Sequence, residues 1–374
     1  MDHGRKTKGI LSGSGALLAC VLLVAGAGAV PARASAAAVN CGDTLTADAA
    51  LTTDLLCVDN GLTIATDGVT LDLGGHVLAG TGLTVRASNV TVKNGMIMGT
   101  GAEAVTVQPA TTDGTAAATL SDVQVTAGAT RARNATLTVS GSNPALCLLT
   151  GLTVVASTAT VEQCVVHGQV SVQDSPGITV ASSTLTDGKL TTAGSGGVYN
   201  GTVFDNFPVT VAADSGEDVF QDNLFRNTDT ALEVRGGKKT TFDGNVFMNN
   251  SVGLLSTGGF GLTTVRNNVF HSNRTVGLLV NQNLAGVNPD PVSGNVFYAN
   301  GTSPRKLTDL GGNAVRGGLH LFTGAVTQPT LTVTGNIGLA NGGFLIWARP
   351  GSVVDGGGNR GPCGPKPTSG LTCA

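Results

Sequence analysis

Three observations predict an all-β, single-stranded right-handed parallel β-helix, a solenoid with capped ends. The stretch Gly61–Asp72 aligns without gaps on Gly82–Lys93, an offset of 21. An Asn-x-Phe motif, with another Asn two or three residues on (Asn227, Asn249, Asn273, Asn300), recurs through the C-terminal half, its phenylalanines spaced by 21, 22, 23 and 27. Charged residues are only 12% of the chain while Gly, Thr, Val and Asn abound, a mix too apolar for disorder and suited to strands and tight turns.

The N-terminus reads as a leader. Arg5, Lys6 and Lys8 precede an apolar run from Gly15 to about Val30, and small residues follow around Ala34-Ser35-Ala36. A basic segment, a short apolar core and an A-x-A site describe a secretory signal peptide over residues 1–36, with a secreted, extracellular destination. Two alternatives remain. The run is shorter than the ~20 residues a membrane span needs, which weighs against an uncleaved anchor. Leu17-Leu18-Ala19-Cys20 resembles a lipobox, so lipid anchoring through Cys20 stays open, although the apolar run continues past that cysteine. Nothing later reads as a transmembrane helix. The leader holds four basic residues and one acid, so its removal takes the formal net charge from −3 to −6. A mildly acidic chain has no electrostatic reason to hold a phosphate backbone, and no nucleic-acid partner is expected.

One domain is expected over 37–374, with an N-terminal cap at 37–60 and a tail at 355–374. A unit of about 21 residues cannot close a core alone, but coiled against its neighbours it can. Alternate residues of each strand then point inward, and equivalent positions stack about 4.8 Å apart. Phe204, Phe225, Phe247, Phe270 and Phe297 are assigned to one inward column. The Asn of the motif copies (Asn223, Asn245, Asn268, Asn295 and the later Asn336) can bond the Asn above and below. A leucine-rich repeat has a similar period but needs a helical return, for which the intervening Thr, Gly and Asn are poor formers. Residues of about 22 per rung give thirteen to fifteen rungs.

Six cysteines remain after Cys20, in three local pairs. Fifteen connectivities are open to them, and an even count in an exported chain implies disulfides. The local pairing Cys41–Cys57, Cys147–Cys164 and Cys363–Cys373 is the expectation. Cys147 and Cys164 lie about one short rung apart, a separation a disulfide spans. No C-x-x-C occurs, and no cysteine has a histidine at zinc-finger spacing.

The opening Cys41-Gly-Asp-Thr-Leu with Cys57, then Val69-Thr-Leu-Asp-Leu-Gly-Gly-His76, Asn89-Val-Thr-Val-Lys-Asn-Gly95 and the Asn-x-Phe repeats carry a resemblance. The chain is similar to the secreted right-handed parallel β-helix repeat proteins of the pectin-lyase-like superfamily, over nearly all its mature length. The resemblance implies the fold. For activity it implies a range that includes polysaccharide lyases, glycoside hydrolases, epimerases and proteins without assigned activity.

The chemistry of each can be sought in the residues. The polygalacturonase branch uses an Asn-Thr-Asp motif, an Asp-Asp pair and later His-Gly. Here Asn227-Thr-Asp229 occurs, no Asp-Asp pair does, and His167-Gly168 stands in the wrong order. A lyase requires a cation, with calcium the expected one, and a Lys or Arg base on adjacent rungs. Setting Val211, Leu232, Leu254 and Leu278 in one inward column makes Asp214, Glu233 and Arg235 converge on one face, with Lys238 and Lys239 nearby. These three are the candidate catalytic residues, against the alternative of an exposed salt-bridge cluster of little energetic weight. Asp205, Arg226, Met248, His271 and Tyr298 form an outward column that reads as ordinary surface. His271 and His320 lack a carboxylate or serine partner at any recognisable spacing. Gly99-x-Gly-x-x-Ala104 matches a dinucleotide fingerprint by letters only, without the helix that would bind phosphate, and no cofactor is evident. Two insertions, Asn281–Ser293 and Gly301–Arg316, interrupt the rungs and can wall a groove.

The function expected is therefore a secreted, monomeric β-helix contacting polysaccharide or cell-envelope glycan without clear catalytic motifs. The alternatives are a lyase acting on uronate-containing glycans, and a structural or adhesive surface protein. A featureless Thr/Val face would favour the last.

Overall fold

The computed structural model describes residues 38–236, 239–258, 263–282, 288–323, 331–365 and 371–374. The leader with Cys20, Lys238 and part of the Asn281–Ser293 insertion lie outside them.

Every pairing between strands is parallel, and in the regular turns each strand pairs with the third one along. Val209–Val211 pairs with Leu232–Val234, Asp218–Gln221 with Thr240–Asp243, and Leu224–Arg226 with Val246–Met248. One turn therefore holds three short strands, and the stack has three faces. The first carries Leu62–Ile64, Leu83–Val85 and Val209–Val211; the second Thr70–Asp72 and Asp218–Gln221; the third Val77–Gly80 and Leu224–Arg226. Early in the chain Val90–Val107 and Ala117–Arg133 run through all three faces without a break. About 13 turns result. The strands begin at Thr44–Leu45, which already pairs with Leu62–Ile64. Helix is confined, among the described residues, to the single turn Pro144–Leu146, so the helical return of a leucine-rich repeat does not occur.

The inward columns are those the period of two predicts. Phe204, Phe225, Phe247, Phe270 and Phe297 stack ring on ring along the third face, with centroids 4.5–4.9 Å apart. Tyr199, Phe220 and Phe242 make a shorter stack on the second. All are fully buried. Each such ring is worth roughly 1.5–3 kcal/mol by burial, and the parallel register makes the stacking automatic.

The corner leading into the third face carries one column of changing chemistry. Cys147, Cys164, Ser183, Thr202, Asn223, Asn245, Asn268, Asn295, Asn336 and Asn359 each occupy it. Its asparagines form a ladder. Asn245 donates through its backbone N and Nδ2 to Asn268 Oδ1 (2.9 and 3.0 Å), while its Nδ2 also donates to the Phe220 carbonyl at 2.9 Å. A second ladder leaves the third face through Asn250, Asn273, Asn300 and Asn341. The sequence motif merges two positions here. Asn227 and Asn249, two residues past their phenylalanines, instead take left-handed φ of 64° and 57° at the bend.

The three disulfides join Cys41–Cys57, Cys147–Cys164 and Cys363–Cys373, with Cα separations of 5.1, 4.7 and 5.9 Å. Cys147–Cys164 spans adjacent turns of the corner column. Asp218 is a buried carboxyl outside the asparagine ladders. It points inward between Gly197 and Thr240 on neighbouring turns, and the Thr240 and Tyr199 hydroxyls are buried without hydrogen-bond partners. Burial pushes the Asp218 carboxyl up to about 7, offset only in part by the Gly197 amide.

Candidate functional site

The first face carries the residues singled out for chemistry, and its register differs from the expected one. Val209, not Val211, lies beside Leu232, and Val211 lies beside Val234. The bend at Asn206-Phe-Pro208 is two residues shorter than the one at Asn227–Ala231, so a constant count from each phenylalanine slips by one inward position. Leu232, Leu254 and Leu278 do share a column.

The slip separates the candidate trio. Glu233 and Arg235 meet: Arg235 Nη2 donates to Glu233 Oε2 at 2.8 Å, and Thr257 Oγ1 to Glu233 Oε1 at 3.3 Å. Asp214 sits exposed in the turn after Val211, and among the described residues no hydrogen bond or ion pair links it to either. The hydrogen bond and charge of Glu233 raise the Arg235 pKa, which opposes use of that guanidinium as a proton acceptor.

Outward carboxylates elsewhere are bonded in the same way to the next turn. Asp205 accepts from Arg226 (2.7 Å) and Asn227, and Asp243 from Arg266 (2.9 Å) and Asn267. The bonds from Arg226 and Asn227 outweigh burial and hold the Asp205 carboxyl low. The outward column Asp205, Arg226, Met248, His271, Tyr298 is in the register expected, and His271 stacks on Tyr298 at 5.0 Å. Among the described residues no three His, Cys, Asp or Glu gather to hold a metal.

A longer arrangement lies along the first face. Its central outward column runs Thr63, Thr84, Thr106, Arg131, Thr153, Ser171, Thr191, Thr210 and Glu233 on consecutive turns. Beside it run Arg86, Gln108 and Arg133, each following an inward Val or Ala. Arg131 is paired with Glu103 at 2.5 Å, and Thr106 Oγ1 donates to Glu103 at 3.0 Å. The exposed guanidiniums of Arg86 and Arg133 have no hydrogen-bond or ion-pair partner among the described residues. Two turns separate them, roughly 10 Å. The result is a straight rail of hydroxyl, amide and guanidinium donors on a rigid sheet. The repeat Thr84-x-Arg86, Thr106-x-Gln108, Arg131-x-Arg133 is its sequence signal, missed because the offsets there are uneven.

The rail ends where the Gly301–Arg316 insertion folds over the first face. His320 does have a carboxylate partner: its Nε2 lies 3.0 Å from Asp309 Oδ2, with both side chains fully buried. Asp309 arrives from the insertion, so no spacing in the sequence announces the pair.

A family model described as the right handed beta helix region matches residues 82–283 and 190–356. The chain belongs to the right-handed β-helix family. A search of curated proteins returns no match. Among solved structures, this β-helix is similar to a mannuronic acid specific polysaccharide family 6 lyase from human gut microbiota. Identity is 12%, over 80% of this chain and 76% of that one, with a TM-score of 0.36. Among the described residues of this β-helix, no helix is long and apolar enough to cross a membrane.

Proposed function

We propose that this right-handed β-helix is an exported, non-catalytic polysaccharide-binding protein that holds an extended glycan along its first face. The observation that carries this is the donor rail from Thr63 to Thr210 with Arg86, Gln108 and Arg133 beside it. A glycan offers hydroxyl and ring oxygens at regular intervals, and a rail with one donor per turn can meet them without ordering any loop first. The carboxylates and cations that a lyase would need free are largely bonded already, as Asp205 is to Arg226 on the next turn and Glu233 is to Arg235 two residues along the chain. The predicted leader and the three disulfides support export.

Binding to neutral, uronate-bearing and sulfated polysaccharides by affinity electrophoresis tests this reading. The double variant Arg86→Ala/Arg133→Ala should weaken binding tenfold or more, about 1.4 kcal/mol. Retention of full affinity by that variant, or no binding to any of the three classes, overturns the proposal. Ultraviolet absorbance of an unsaturated product, with and without calcium, reads the lyase alternative in the same samples. A second reading, adhesion without a small ligand, is favoured by the second face. There Thr70, Thr91, Thr119, Thr138, Thr160 and Thr179 occupy one outward column and Val198 and Val219 continue it. Binding of the protein to intact envelope but to no isolated glycan would support it.

A further inference from the structure

The insertion Gly301–Arg316 forms a hairpin. Thr308 bridges Ala314, and Asp309 N donates to the Asn313 carbonyl at 2.9 Å. Beneath it Leu307 and Val315 pack on Val252, Leu255, Val276 and Leu279, outer positions near the end of the first face. Its start is tied by the Arg305–Asp229 ion pair and by Arg305 N to Thr275 Oγ1 at 3.0 Å. Its tip is tied by Leu310 N to Asn281 Oδ1 (2.8 Å) and by Asp309 to His320. His320 in turn lies flat on Trp347 of the next turn, centroids 4.1 Å apart and planes 6° from parallel.

We propose that the hairpin is an acid-released cover over a stacking platform, Trp347 on His320, that extends the glycan track of the first face. The ligand half of this inference rests on the glycan-binding reading; the release half does not. Along the face the central column passes from Thr210 and Glu233 to Leu255, Leu279, His320 and Trp347. The donor rail thus continues as an apolar, aromatic surface, which suits the C–H face of a sugar ring. The hairpin hides its first part.

The clamp is sensitive to protonation because of its geometry. Neutral His320 donates through Nε2 to Asp309, and its Nδ1 has no partner. Protonation places a second N–H there, buried and without an acceptor. Asp309 and Asn313 face the imidazole's side of the hairpin, Leu279 the previous turn and Trp347 the next. Arg305, Lys306 and Arg316 of the hairpin and Asp229 make no bond to the imidazole. Burial depresses the His320 pKa below its usual 6.5, despite Asp309. Asp309 is also held low, the bonds from His320 and Asn313 outweighing its burial. Both groups bind protons less readily in the clamped form. The clamp is therefore at full strength above pH 6.5 and weakens as pH falls through the lowered His320 value.

Hydrogen exchange of the full chain, corrected for intrinsic rates, reads release directly at the Asn313 and Val315 amides. Their protection should fall at least tenfold between neutral pH and about pH 4.5 while strand amides elsewhere stay protected. His320→Gln, which keeps a donor without a titration, should remove that acid step. Asn313→Ala, which loosens the Asp309 seat, should move it toward neutral pH. Unchanged hairpin protection in acid, or the same step in His320→Gln, overturns the proposal. For a glycan bound at neutral pH, affinity should rise in acid, and Trp347→Ala should cancel the rise alone. A rise that survives Trp347→Ala overturns the platform, whereas no binding at any pH overturns the glycan reading and leaves release to the exchange data.

Discussion

Single residues in this chain are placed by their column, and two of them, Asp218 and His320, make opposite demands on pH. Asp218 has a raised pKa of about 7, so the folded state binds its proton more tightly than the unfolded chain does. Its favourable contribution is complete below the ordinary aspartate value of 3.8 and is lost as pH rises through about 7. Asp218→Asn should therefore raise thermal stability at alkaline pH, by up to about 4 kcal/mol, and leave it nearly unchanged in strong acid. Melting curves across pH check this; equal effects at both ends would show that the charge is not the cost. The asparagine ladder makes a second prediction at this scale. Asn268→Ala removes the acceptor shared by Asn245 N and Nδ2, and should cost about 2–4 kcal/mol in denaturant unfolding. The ladder was legible in the sequence two positions before the phenylalanine of each Asn-x-Phe copy. The second ladder was half legible, because Asn227 and Asn249 satisfy the left-handed bend while the ladder runs one residue later, through Asn250. Asp218 was not legible at all: nothing local distinguishes an inward Asp from an outward one when the strand is four residues long.

The elements are so short that corners, not strands, set the register. Val203–Asp205 and Leu224–Arg226 pair in register, yet the bends that follow them differ by two residues. That difference moved Asp214 away from Glu233 and Arg235, and it was invisible to a constant count. Glu233→Gln and Arg235→Ala should each change stability by under about 1 kcal/mol, as exposed pairs do, and leave glycan affinity within twofold. A loss of binding with either would return that pair to the site. The disulfides were legible because the six cysteines fall into three local pairs, 10 to 17 residues apart, and in a stack only near neighbours meet. Cys147–Cys164 closes a separation of 17 residues, and Cys147→Ser/Cys164→Ser should cost about 3 kcal/mol, read by urea unfolding without reductant. The Gly301–Arg316 hairpin was recognised as an interruption, but its Asp309–His320 contact depends on folding back across the face.

At the scale of the whole molecule, each turn touches only its two neighbours. Stability then accumulates turn by turn, and interior turns hold on both sides while the end turns hold on one. The N-terminal disulfide Cys41–Cys57 and the C-terminal disulfide Cys363–Cys373 sit at those weaker ends. The fold class could be read from the repeat because stacking demands recurrence. The face proposed for binding could not, because an outward position has no such demand and its chemistry changes freely from turn to turn.

The asparagine ladder has one more consequence. It steps from Asn268 to Asn295 across 27 residues and from Asn295 to Asn336 across 41, and the amide contact stays at 3.0 Å in both. The stack keeps its pitch whatever length of chain leaves and re-enters at a corner. Such corners are ports: foreign segments spliced at Gly301–Arg316 would hang from an unchanged spine, and the spine would carry them at fixed intervals along a rod.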